Sequence, residues 1–202
     1  MRAVVIATGE STAMRSLNER YPTPLLPLLD RPFIQHVVEC LVDLGVTEFD
    51  FILSHLPERV EQLLGDGRIW GSTFTFHLSR DSSHPYNFLD LIGLQGDEEP
   101  VLLAHADRLP DLQTLQTIFC AGSDRSVVLY WQQALEVHRP QTAQPESSDD
   151  RDGMHWTGWA RLPSRSLKGL SGDLSESALA SYVITMARRD GELIEVPKPL
   201  SV

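Results

Sequence analysis

The sequence predicts an α/β protein with a mostly parallel central sheet, and three observations lead there. Short apolar runs alternate with amphipathic segments from Ala3 to Asp107. The chain opens at once on a continuous apolar run, Ala3 to Ala7, suited to a sheet covered on both faces. With 202 residues, 42% hydrophobic and 22% charged, the composition is that of a globular chain and argues against disorder. That length suits one domain over residues 1–202 with a full core of its own. No internal repeat is visible.

The elements follow in order. Ala3 to Ala7 is the first strand, ending at Thr8-Gly9. Gly9 to Pro32 reads as a long loop, because Pro22, Pro24, Pro27 and Pro32 forbid a long helix. Leu25, Leu26 and Leu28 should anchor it to the core. Phe33, Val37, Cys40, Leu41 and Leu44 mark one helical face, with Asp30 near the N-cap, Pro32 in the first turn and Gly45 as the stop. Val46 to Leu53 is a second strand, and Pro57 to Leu64 a helix with Glu58 and Glu61 favourably near its start. Thr73 to Leu78 alternates and reads as a strand nearer the sheet edge. Pro100 to Ala104 is a fourth strand, Asp111 to Ala121 a helix and Ser126 to Val137 a strand. Arg139 to Gly153 carries Pro140, Pro145, Asp149, Asp150 and Asp152 with no aromatic residue, and reads as a mobile acidic loop. Beyond it, Trp156 to Leu162 is a strand, Ser175 to Arg188 a helix and Glu192 to Val196 a last strand.

Charge narrows the partners. Seventeen Lys and Arg against 28 Asp and Glu leave a net charge of -11, which speaks against nucleic acid. A small phosphate-bearing ligand needs only a few local donors and is not excluded. No apolar run approaches the roughly 18 residues of a membrane span, and the N-terminus is too short in apolar residues for a signal peptide. Cys40 and Cys120 form no disulfide framework and no zinc spacing, which suits a reducing, cytoplasmic setting.

Chemistry has two candidate places. The loop after the first strand holds Gly9, Ser11, Thr12 and Arg15 beyond the carboxyl end of a strand, where α/β sheets bind ligands. It is not a P-loop, so a phosphate site and an ordinary turn both stand. Asp107 lies just past an apolar strand, where a carboxylate can hold a hard cation. The competing reading is a turn or helix-cap aspartate, helped by Pro110 and Asp111. The histidines make no H-x-x-x-H pattern; His55, His84 and His105 fall near strand ends and read as solvated. Trp70 and Trp131 read as packing, and the acidic run Asp149 to Asp152 as a solvated face rather than a calcium loop. No serine sits in a G-x-S-x-G elbow.

Several segments, in order, resemble the sugar-phosphate nucleotidylyltransferase family. They are Ala7-x-Gly9, Thr12, Leu17 and Pro22-x-Pro24-Leu25-Leu26-Pro27-Leu28; then Arg31-Pro32-Phe33-Ile34-Gln35-His36; then Leu44-Gly45-Val46-Thr47-Glu48. Leu64-Gly65-Asp66-Gly67-Arg68-Ile69-Trp70-Gly71 is a specific match. His105-Ala106-Asp107 is similar to that family's N-G-D site, and Thr157-Gly158 stands where an Asn-x-Gly usually precedes a strand. The resemblance is close over residues 1–120 and thin beyond.

It implies a Rossmann-like three-layer α/β/α fold that binds a nucleoside triphosphate or nucleotide sugar, and a sugar 1-phosphate. In such a site the sugar phosphate attacks the α-phosphorus, pyrophosphate leaves, and magnesium neutralises the charge. The resemblance places nucleotide contacts at Ala7, Gly9, Ser11 and Thr12, and the metal on Asp107.

The departures matter as much. Ser11 replaces the loop's second glycine, and Ala13 replaces the family's arginine. Thr23 stands at the position of its lysine, before Pro24. Asp81 to Asn87 shows nothing of the stretch that contacts base and sugar. The chain stops at Val202, before the segment that in the family usually brings a second metal-binding aspartate. Losing one preorganised donor commonly costs on the order of 10²–10³ in turnover. The expectation is therefore a degenerate member that binds a nucleotide or nucleotide sugar as a binding or assembly module, homo- or hetero-oligomeric. The alternative is an active, magnesium-dependent enzyme in which Arg15, with Arg20 as a second candidate, supplies the missing charge.

Overall fold

The computed structural model describes residues 1–8, 21–80, 84–89, 92, 99–120, 125–132, 154–167, 170 and 175–201. The expected acidic loop at 139–153 and most of the loop after the first strand lie outside these residues. Strand β1 is Arg2–Ala7. A small hairpin, β2 Pro27–Leu28 and β3 Arg31–Pro32, interrupts what the prolines suggested was plain loop. Helix α1 is Phe33–Asp43, β4 Glu48–Leu53, α2 Pro57–Leu64 and β5 Thr73–Leu78. Then come β6 Pro100–His105, β7 Arg108–Leu109, α3 Leu112–Cys120 and β8 Val127–Gln132. The chain continues with β9 Met154–Pro163, α4 Glu176–Asp190, β10 Glu192–Glu195 and β11 Leu200–Ser201.

Seven described strands form one sheet in the order β10-β8-β9-β6-β1-β4-β5. All its pairings are parallel except those of β9, which runs antiparallel to both β6 and β8. The expected mostly parallel sheet is present, with β1 in its interior between β6 and β4, and β5 at its edge. Alternation explains the layers. Ala3, Val5 and Ala7 face one core with Val37, Leu41, Val60, Leu64, Leu115 and Ile118 of α1, α2 and α3. Val4 and Ile6 face the other core with Leu179, Val183 and Ala187 of α4. Helices on both faces make the apolar run of β1 necessary, since neither face meets water.

The familiar-looking motifs prove to hold local structure. Arg31 pairs with Glu39 at 2.5 Å, and His36 Nε2 lies 2.9 Å from the Leu28 carbonyl, tying the hairpin to α1. Pro32 itself occupies the N-cap of α1 without a side-chain cap, so Asp30 does not cap it. Gly67 (φ +86°) leaves room where a Cβ would lie 2.7 Å from the Ser72 carbonyl, which lets the turn feed β5. Trp70 stacks on Phe74 at 5.5 Å, a packing role as expected.

A buried ionic cluster joins three strands away from the edge discussed below. Asp50, 3% exposed, accepts from Arg2 Nε at 2.5 Å and lies 2.8 Å from His77 Nε2. Asp50→Ala should cost about 1–3 kcal/mol, the scale of a buried polar partner lost, and Asp50→Asn less because an acceptor remains. Urea denaturation checks this; a loss below about 0.5 kcal/mol would mean that both partners relax into solvent.

Candidate functional site

Strands β1, β4, β5 and β6 run the same way, so their carboxyl ends share one edge of the sheet. Because β9 enters antiparallel, its first residues arrive at that same edge, beside the carboxyl end of β8. Ala7 and Thr8 end β1 there, both buried, and the Thr8 carbonyl accepts from Ser54 Oγ at 3.3 Å. Gly9, Ser11, Thr12, Ala13, Arg15 and Arg20 lie outside the described residues. Thr23 is described: it is 2% exposed in a 3-10 turn, a short buried hydroxyl.

Asp107 is set by the backbone of β6. The Ala106 N–H donates to the Ile6 carbonyl at 2.9 Å, extending the ladder by one residue before the chain turns. The Asp107 carboxylate then lies between His105 Nδ1 and Arg108 Nε, each 3.7 Å from Oδ1. Both distances exceed hydrogen-bond range, and Oδ1 is buried without a hydrogen-bond partner among the described residues. The helix-cap reading belongs instead to Asp111, which accepts from the Thr114 N–H at 3.0 Å and from its hydroxyl at 2.6 Å. Burial is the largest single influence on Asp107 and raises its pKa. The imidazole of His105 and the guanidinium of Arg108 act the other way and prevail, leaving it below the ordinary carboxylate value. It is ionised at neutral pH.

His105, read from the sequence as solvated, is 4% exposed. Its Nε2 lies 3.2 Å from the Tyr86 hydroxyl, and Trp156 meets the ring edge-on at 5.2 Å. Burial pushes the Tyr86 phenol above its ordinary range, so it keeps its proton. Across the sheet lies Gly158 (φ +86°), where a Cβ would stand 2.8 Å from the His105 ring. The register of β8 against β9 shifts here, between Val128 and Tyr130. Thr157 serves the same irregularity, donating to the Leu129 carbonyl and accepting from the Trp159 N–H.

Arg108 completes the edge. One guanidinium nitrogen lies 2.6 Å from Glu176 Oε1 at the start of α4, and Trp159 Nε1 donates to the Arg108 carbonyl at 2.8 Å. Burial lowers the Arg108 pKa, but Glu176 and then Asp107 more than offset it, so the pKa is raised and the cation held. Sequence reasoning missed Tyr86, Arg108 and Glu176. For His105 there was a signal: a histidine inside an otherwise apolar strand end.

Among the described residues no three His, Cys, Asp or Glu side chains gather into a metal cage. The orphaned buried oxygen of Asp107 nevertheless fits one position on a hard cation whose other ligands are water and phosphate, the arrangement magnesium favours.

An open, mostly parallel sheet covered by helices on both faces, with an ionised carboxylate at its carboxyl edge, is a Rossmann-like α/β architecture. Residues 2–144 match the family described as nucleotidyl transferase, and the chain belongs to it. Among curated proteins, it is 32% identical over 77 residues to the low-salt glycan biosynthesis nucleotidyltransferase Agl11 of Haloferax volcanii, covering 38% of this chain and 22% of that one. It is 31% identical over 71 residues to the UTP–glucose-1-phosphate uridylyltransferase of Synechocystis, covering 35% and 18%. A third relative, the CMP-5'-(3-aminopropyl)phosphonate synthase of Streptomyces rubellomurinus, is 32% identical over 124 residues, covering 55% and 20%. The chain thus spans about a fifth of the length of these relatives. Among solved structures, a putative glucose-1-phosphate thymidylyltransferase from Bacillus anthracis, in complex with a sucrose, superposes with a TM-score of 0.71 at 17% identity. That match covers 98% of this chain and 87% of the other. At such identity the likeness concerns the fold.

Proposed function

We propose that the protein binds a nucleotide or nucleotide sugar at the carboxyl edge of its sheet and has lost nucleotidyl transfer. The observation that carries this is Thr23: where the family resemblance puts a lysine, a buried hydroxyl 2% exposed cannot deliver an ammonium to a departing pyrophosphate. Ala13, at the arginine position, adds to it. Relatives named as acting on glucose 1-phosphate and mannose 1-phosphate support the ligand class.

When bound, magnesium would neutralise phosphate charge, and Asp107 is the residue to hold it. His105 and Arg108 fix that carboxylate in its ionised state, and Ala7 and Thr8 bring the backbone of β1 to the same edge. A second reading, active transfer, draws on the unpartnered Oδ1 of Asp107, which suits a metal site kept for use. In that case a sugar phosphate oxygen attacks the α-phosphorus, the bond to the bridging oxygen breaks, and pyrophosphate leaves; Arg15 would carry the compensating charge.

A thermal-shift panel of nucleoside triphosphates and nucleotide sugars with magnesium, followed by a pyrophosphate assay of each hit, tests both. Binding without pyrophosphate release above a no-enzyme control is expected. Turnover that Asp107→Ala abolishes would establish the second reading instead. No stabilisation by any nucleotide would reject both.

A further inference from the structure

A cavity of about 470 Å³ opens between β8, the start of β9, α4 and the segment after β10, with Arg108 in its lining. It is large enough to take a monosaccharide-sized group with room to spare. Arg108, Trp131, His155, Trp156, Glu176 and Lys198 are among its lining residues.

Two features give the cavity a charge preference. Arg108 is already compensated, by Glu176 at 2.6 Å and by Asp107 at 3.7 Å. Lys198 is not: among the described residues its ammonium has no carboxylate partner and sits 5.1 Å from the centre of the Trp131 ring. His155 stacks on that ring at 4.5 Å and holds it.

The backbone also places Lys198. On one side the Val196 N–H donates to the Tyr130 carbonyl at 2.8 Å, anchoring the segment to β8. On the other, Leu200 and Ser201 pair with Leu109 and Arg108 as β11 against β7. The segment from Val196 to Ser201 is thus pinned at both ends, beside Trp131 and beside Arg108, with the lysine between. The backbone of this exposed lysine is thus fixed beside the Trp131 ring.

We propose that Lys198, held by Trp131, is a specificity determinant that selects a sugar ring bearing a carboxylate over a neutral one. The proposal rests on the nucleotide-sugar reading above and names the sugar class for the same site. The carboxylate accepts a charge-assisted hydrogen bond from the ammonium, while Trp156, Ala180 and Ile184 provide the apolar wall for the ring.

The test is titration calorimetry of the full chain with glucuronic acid 1-phosphate and glucose 1-phosphate, which differ only in the C6 group. A preference of about tenfold or more for the acid is expected. Lys198→Gln should reduce that ratio to within about twofold, and Lys198→Arg should restore most of it. Ligand-free melting temperatures confirm that the variants fold. Equal affinities in the unaltered protein, or a preference that survives Lys198→Gln, would overturn the proposal. So would absence of binding by both 1-phosphates, which leaves the nucleotide-binding reading to its own panel.

Discussion

Asp107→Ala should lower the stability of the ligand-free protein by no more than about 1 kcal/mol at neutral pH, while removing most of its response to a nucleotide ligand with magnesium. The first half follows from the buried Oδ1, which has no hydrogen-bond partner to lose, and from Arg108, which keeps Glu176. Burial of that oxygen is a cost, and the neighbouring His105 and Arg108, which hold the carboxyl below its ordinary pKa, offset it. The second half follows from the proposed role of Asp107 as the group that would hold the metal. A ligand at 100 times its dissociation constant stabilises by about 2.7 kcal/mol; a hundredfold weaker affinity leaves about 0.4 kcal/mol. For a chain of this size, that is a fall from roughly 5–11 °C of stabilisation to about 1 °C. An unchanged ligand shift in the variant would remove Asp107 from the site. A large drop in ligand-free stability would make it a structural residue.

Gly158→Ala should lower the melting temperature by roughly 6–12 °C, a loss near 3 kcal/mol. Two costs add. The φ of +86° is one that L-residues adopt at about 1–2 kcal/mol. The new Cβ would lie 2.8 Å from a His105 ring that is itself wedged against Tyr86 and Trp156, so the ring has little room to retreat. Overpacking of that kind costs about 1–3 kcal/mol. Differential scanning calorimetry checks it. A change under about 2 °C would mean that the β9 irregularity absorbs the methyl group.

These two residues show where reading by pattern worked and where it stopped. Asp107 was legible, because an apolar strand ending in an aspartate is a local signal and the motif around it is similar to a family site. Its environment was not. His105 came out of the sequence as a solvated strand-end histidine, yet it is buried, because Tyr86 and Trp156 reach it from segments distant in the chain. Nor could the sequence separate the cap from the ligand candidate: Asp111 and Asp107 both precede a helix, and only the hydrogen bonds to Thr114 assign the capping to Asp111. Trp131 read as a packing residue, and its contacts with His155 and Lys198 join residues more than 20 positions apart.

What the sequence determined alone was the order and kind of the main helices and sheet strands, though not of the short pairs β2–β3 and β7–β11. Proline, glycine and apolar periodicity act over a few residues, so the helix Pro57–Leu64 and the strand Thr73–Leu78 were readable to the residue. That Ala13 and Thr23 stand where the family resemblance implies an arginine and a lysine was an expectation of the sequence too, since identity needs no geometry. Tertiary structure decided the rest. That β9 runs against its neighbours, that Arg108 is shared by two carboxylates, and that Lys198 stands over an indole all depend on strands pairing across long stretches of chain. Through-space charge and packing set the site, and neither is written in local spacing.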